Sequence, residues 1–159
     1  MTAAVVNRLL HARNEDPEGV WQWYQFQRQL LGEESARAHA ALGQSHLPLS
    51  PELGRYVGQT SADLDALFAA QNAELDLLTM LGMIAATEGR LQRDFTSRVI
   101  ARRKDRVSRD FAKLKKKRDA RQERIELERD ILTIWSASAT NSKAKKAISS
   151  FKAALNLRH

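Results

Sequence analysis

Between Ser61 and Arg102 the apolar residues recur at helical spacing, as Leu64, Leu67, Phe68, Leu75, Leu78, Leu81 and Ala85 and then Leu91, Phe95 and Val99, and never alternate with period two. A chain carrying such a stripe must form a helix and bury one side of it. Thr60 or Ser61 supplies the N-cap. At about 1.5 Å per residue the helix exceeds ~60 Å, so either it kinks at Gly82 or Gly89 or it projects, and the sequence does not choose between them.

The rest of the chain follows the same period. Val5, Val6, Leu9 and Leu10 share one side of a short first helix, and Asp16-Pro17 reads as the cap and first position of a second. That second helix carries Trp23, Phe26, Leu30 and Leu31 and runs to Leu42, with Gly43 as its stop. Its aromatic cluster, Trp21, Trp23, Tyr24 and Phe26, is expected to pack into the core rather than to stack bases. Pro48, Pro51, Gly54 and Gly58 make residues 44–60 a loop with one short turn. Ser108 is a credible N-cap for a further helix bearing Phe111, Leu114, Ile125, Leu127, Ile131, Leu132, Ile134 and Trp135. Midway along it, Arg118 and Arg121 hold positions where core residues belong, so that half should stand in solvent with its charges outward. Ser142 caps a last amphipathic helix with Ala144, Ile148, Phe151 and Leu155 inward.

These segments predict an all-α fold, a bundle of five or six helices with long central helices. At 159 residues and 43% hydrophobic, the chain fits a single domain burying roughly 70% of its unfolded surface. Within it, residues 1–43 form an N-terminal helical hairpin, 44–60 a loop and 61–159 the main bundle. There is no Cys, so no disulfide framework or thiolate metal site can form. No apolar run approaches the ~18 residues of a membrane span, and the N-terminus lacks a signal-peptide pattern, so a cytoplasmic protein without membrane association is expected.

Charge is the second constraint. From Arg98 to Arg124 there are thirteen Lys and Arg against Asp105, Asp110, Asp119 and Glu123, a net +9 in a chain whose total is +7. The basicity is therefore local, and it points to an anion held at one place, most naturally a nucleic-acid backbone. The candidate contacts are Arg98, Arg102, Arg103, Lys104, Arg106, Arg109, Lys113, Lys116, Lys117 and Arg121. A merely solvated helix face is the plainer alternative, but thirteen cations cannot be neutralised by four acids, and like charges at i, i+4 destabilise a helix. Phe111 is the one aromatic in the run and belongs to the core stripe, so neither base stacking nor sequence readout is indicated.

Local catalytic motifs are few. His11, His39, His46 and His159 form no metal-binding helical pair, no HExxH, GxxxxGK or GxGxxG occurs, and Glu74, Glu88 and Asp94 are too widely spaced to suggest paired carboxylates. No metal and no cofactor is expected. Arg158 lies seven positions after Phe151 and three after Leu155, on the inward side of the last helix, where a guanidinium needs an anionic partner or a cleft unless fraying of the end lets it reach water.

Three blocks, ATEGRLQRDFTSRVIARRKDRVSRDF, ERDILTIWSAS and KKAISSFKAALNLRH, resemble helical proteins of the HEPN superfamily, many of them metal-independent ribonucleases of toxin-antitoxin and antiphage systems. The resemblance covers about residues 85–159. It implies a site made of an Arg late in the last helix, a polar residue next to it and a His a few positions on. Arg158 matches the Arg and His159 the polar position, while the His would fall past His159, which makes an inactive form one expectation. The resemblance further implies an RNA substrate, a homodimer with two motifs facing each other across a cleft, and an antitoxin or defence-system partner. The alternative is a non-catalytic helical nucleic-acid-binding or assembly protein that uses the basic helix alone.

Overall fold

The computed structural model describes residues 16–42 and 54–156. They form five α-helices and, among the described residues, no strand: α1 (Pro17–Leu42), α2 (Ser61–Ile100), α3 (Arg106–Ala120), α4 (Leu132–Ser138) and α5 (Ser142–Asn156). The all-α expectation holds. The proposed first helix around Val5–Leu10, the stop at Gly43 and the loop up to residue 53 lie outside the described residues.

The contacts divide into two compact units, one of Glu18–Gly82 and the other of residues 83–156 with 16–17. The division falls inside α2, not at the loop before it. In the first unit, Ala38 of α1, Tyr56 of a short 3-10 turn (Gly54–Tyr56), and Leu64 and Phe68 of α2 form the core, with Tyr56 and Phe68 tilted at a ring separation of 6.0 Å. The start of α2 is a reciprocal box. The Thr60 hydroxyl accepts from the Asp63 N–H at 3.2 Å, and the Asp63 carboxylate accepts from the Thr60 N–H at 2.9 Å. α1 and α2 run antiparallel: Ala38 clusters with Leu64, Tyr24 donates to Asp76 at 2.7 Å, and Val20 meets Gly82. A Cβ on Gly82 would stand 3.2 Å from Val20 Cγ1, so this glycine permits close helix approach and does not break the helix. Neither Gly82 nor Gly89 interrupts α2, whose forty residues are continuous.

The stripe on α2 needs one correction. Leu78 and Leu81 are 51% and 37% exposed and Ala85 is also exposed, while Thr79, Ile84 and Ala86 are buried instead. The buried Thr79 hydroxyl is satisfied by the Leu75 carbonyl at 2.7 Å, so a polar residue occupies the seam without an orphaned donor. The aromatic cluster of α1 is likewise not core: Trp21 and Phe26 are 45% and 48% exposed.

The second unit has two adjoining cores. Ile84, Leu132 and Leu155 form one, with Leu91, Ile148 and Phe151 against them; Phe95, Phe111 and Ile131 form the other, with Val99, Val107, Leu114 and Trp135. The inward set on α5 is as expected from its spacing. Its cap is Asn141 rather than Ser142, since the Asn141 side-chain oxygen accepts from the Ala144 N–H at 2.7 Å.

The helix expected from Ser108 to Trp135 is broken. α3 begins at Arg106, two residues ahead of the serine that takes part in its cap, and it stops at Ala120. There Gln122 takes φ 54°, and its N–H and that of Glu123 bond back to the Asp119 and Arg118 carbonyls at 3.1 and 3.0 Å. This is a Schellman stop built on Gln where Gly is usual. The chain then re-enters helix through one π turn (Leu127–Ile131), in which the Glu126 carbonyl accepts from both Asp130 and Ile131.

A candidate nucleic-acid interface on the basic helix

Sequence dictates the inner side of α3 first. Val107, Phe111 and Leu114 recur at i, i+4 and i+7, and Phe111 is fully buried, with Phe95 edge-on at 5.0 Å and Trp135 at 6.1 Å. With that side inward, Arg109, Lys113 and Lys116 share the opposite, solvent-facing ridge, flanked by Arg106 and Lys117.

Two carboxylates fix the ends of this helix. At its start Asp105 is the N-cap: it accepts from the Ser108 N–H at 3.1 Å and the Ser108 hydroxyl at 2.7 Å, and Arg98 reaches it at 3.3 Å. Ser108 therefore serves as the partner of the cap and not as the cap itself. The Ser108 hydrogen bonds, with the Arg98 charge adding to them, hold the Asp105 carboxyl below the usual carboxylate range. At the far end Arg118, half-buried rather than in solvent as its position suggested, donates to Asp130 at 2.7 Å and pairs with Glu123. Asp130 also accepts from the Glu126 N–H at 2.9 Å, so one buried carboxylate holds both the end of α3 and the start of the π turn. Burial alone would raise the Asp130 carboxyl, but the Arg118 and Glu126 hydrogen bonds outweigh it and the group titrates low.

This pair sets an acid limit on stability. A carboxyl depressed in the fold contributes stability that is complete above its unfolded value, about 3.9, and is lost as the pH falls through its folded value. Urea midpoints should therefore be insensitive to this pair from pH 5 to 7 and drop below about pH 4. Asp130→Asn should lower the midpoint at pH 7 and flatten the acid limb; a limb of unchanged steepness would rule the pair out as its source.

The ten candidate contacts now separate. Arg98 does not join the ridge: it is paired with Asp94 at 2.8 Å and Asp105, and it lies over the Trp135 ring at 5.0 Å. Arg106 and Lys113 share Asp110 at 4.0 and 3.8 Å while their own side chains stay 72% and 81% exposed. Such contacts leave both cations available to an incoming anion. Arg102, Arg103, Lys104, Arg109, Lys116, Lys117 and Arg121 are exposed, with no ion pair to a described carboxylate. Arg102 sits at the left-handed φ of 46° that ends α2, which turns the chain into the cationic link to α3. Arg124 is an eighth cation of this kind that periodicity did not single out, because it follows the unforeseen break at Gln122. Asp119 is spent on Lys115 at 2.7 Å, so all four acids of the run are already engaged.

Arg158 and His159 lie outside the described residues. Among the described residues, side chains of α2, α4 and α5, among them Leu91, Trp135, Ile148 and Phe151, line a pocket of about 350 Å³. Its wall is almost wholly apolar, and the one hydroxyl on it, of Thr87, is spent on the Met83 carbonyl at 2.7 Å. Of its lining side chains only Trp135 keeps a polar atom without a hydrogen-bond partner, its buried indole N–H. Among the described residues, no three His, Asp or Glu come together in a way that could hold a metal ion, and no helix is long and apolar enough to cross a membrane. Comparison with known proteins returns no match among family models, curated proteins or solved structures.

Proposed function

We propose that the chain binds RNA by its phosphate backbone along α3 and the residues 101–105 before it. The observation that carries this is the set of eight exposed cations left without a carboxylate after the local acids are used up. A helix held at both ends by buried or capping carboxylates, with a cationic ridge outward, presents its charges from a backbone that is already ordered, which leaves only the side chains to order on binding. With Phe111 wholly buried the ridge offers no stacking surface, so recognition is of backbone and not of sequence.

The resemblance to HEPN proteins supports a metal-independent endoribonuclease of the toxin or antiphage type, acting as a homodimer. In that reading the RNA 2′-OH attacks the adjacent phosphate, a His moves the proton, and Arg158 stabilises charge on the phosphoryl oxygens beside His159. Cleavage then requires RNA, since DNA lacks the 2′-OH. The test is a labelled single-stranded RNA incubated with the full chain in EDTA, with binding followed against salt. Expected are a binding constant that falls with salt in the chain and in Arg158→Ala alike and, in a form extended past His159 by the expected His, RNA cleavage that Arg158→Ala abolishes. Strictly Mg²⁺-dependent cleavage overturns the catalytic part, and salt-independent binding overturns the electrostatic part. Salt-sensitive binding without turnover identifies the alternative, a helical RNA-binding or assembly protein.

A further inference from the structure

The hairpin of α1 with the first half of α2 has two unlike sides. Around the α1 axis, Tyr24, Arg28 and His39 lie to one side of the buried Val20–Ala38 seam, and Asp65 and Asp76 lie to the same side on α2. These residues pair across the hairpin. Tyr24 and Arg28 reach Asp76 at 2.7 and 3.5 Å, and His39 reaches Asp65 at 3.1 Å. The contacts fix which flank of α1 shares a side with which flank of α2. The opposite flanks carry Phe26 and Leu30 on α1 and Leu77, Leu78 and Leu81 on α2. With Val20 level with Gly82 and Tyr24 level with Asp76, all five fall within a few turns of one another.

This side is apolar and open. The five residues are 48%, 39%, 54%, 51% and 37% exposed, and no residue from Leu77 to Leu81 is charged. Together they leave roughly 450 Å² of apolar surface on one hairpin, near the upper end of what a monomer typically exposes. Two such faces with their rims bring the buried area to about 1,000 Å², the threshold for a specific interface. A two-fold pair needs a patch that matches itself; this side carries the five apolar residues together with two charges of opposite sign, Arg37 on α1 and Glu74 on α2, and laying one such hairpin on another closes a four-helix bundle.

We propose that this side of the hairpin is a homodimer interface, in which Phe26, Leu30, Leu77, Leu78 and Leu81 of two copies pack together. It lies outside the stretch that resembles HEPN proteins and stands or falls independently of RNA binding. The chain has no Cys, so a single introduced cysteine reports proximity between copies without background. Sedimentation of the full chain should give twice the 18.0 kDa monomer mass at micromolar concentration, and Leu78→Glu should return it to monomer with its helical circular dichroism retained. Under mild oxidation Leu81→Cys should form a disulfide-linked dimer, while Gln25→Cys, beside Tyr24 on the polar side, should not. A native chain that stays monomeric overturns the proposal. So does a dimer that fails to cross-link through Leu81→Cys, whether or not Gln25→Cys links it, a readout that survives even if Leu78→Glu fails to fold.

Discussion

Phe111→Ala is expected to cost about 3–5 kcal/mol of unfolding free energy, the range for an aromatic side chain emptied from a closed core. Phe111 is the largest side chain with no solvent exposure, and it joins three elements: its ring meets Phe95 of α2 at 73° and Trp135 of α4 at 74°. Edge-to-face pairs of this kind add about 0.5–1.5 kcal/mol each beyond burial, and the substitution removes both. At about 2–4 °C per kcal/mol for a chain of this size, the melting temperature should fall by roughly 6–20 °C. Urea unfolding followed by circular dichroism measures it directly. A loss under 1 kcal/mol would mean that α3 is not held to α2 and α4 as described. The same variant should weaken RNA binding, because Phe111 is the central inward anchor of the helix that carries the outward ridge.

The helical class was legible because burial follows period 3.6 almost everywhere: Leu64, Phe68 and Leu75, then Phe95 and Val99, then Ile148, Phe151 and Leu155. Periodicity failed where two apolar sides compete. Leu78 and Leu81 continue the stripe in sequence, but α1 approaches at Gly82 and the buried residues beside it are Leu75 and Thr79, and no one-dimensional pattern says which side a partner helix takes. The stop at Gln122 was hidden because a left-handed C′ residue is ordinarily Gly, and here only the bonds back to Arg118 and Asp119 reveal it. The cap of α3 was misplaced by three residues because Asp105 and Ser108 are both capping types and bond to each other. Of the candidate interface, the run of cations was visible at once. Which of them are free was not, since Arg98 and Arg118 are withdrawn by Asp94 and Asp130, and that depends on how the ends of α3 fold.

Replacing Arg109, Lys113, Lys116 and Lys117 together by Gln is expected to weaken RNA binding by ~10²–10³-fold at 0.1 M salt. Each phosphate contact on a single strand contributes about 0.7 to the slope of log K against log salt, so four lost contacts lower the slope by nearly 3. The same factor appears at 0.1 M if the non-electrostatic part is unchanged. Stability should move the other way. Arg109 with Lys113 and Lys113 with Lys117 are like-charge pairs at i, i+4, each destabilising an exposed helix by about 0.2–0.5 kcal/mol, and the substitution relieves both. The buried side of α3, carried by Phe111 and Leu114, is untouched. Loss of binding together with an equal or higher melting temperature is thus the signature of a helix whose charge serves a ligand at some cost to the fold. If binding and its salt slope survive the four substitutions, the ridge is only a solvated helix face, and RNA, if bound, is held elsewhere.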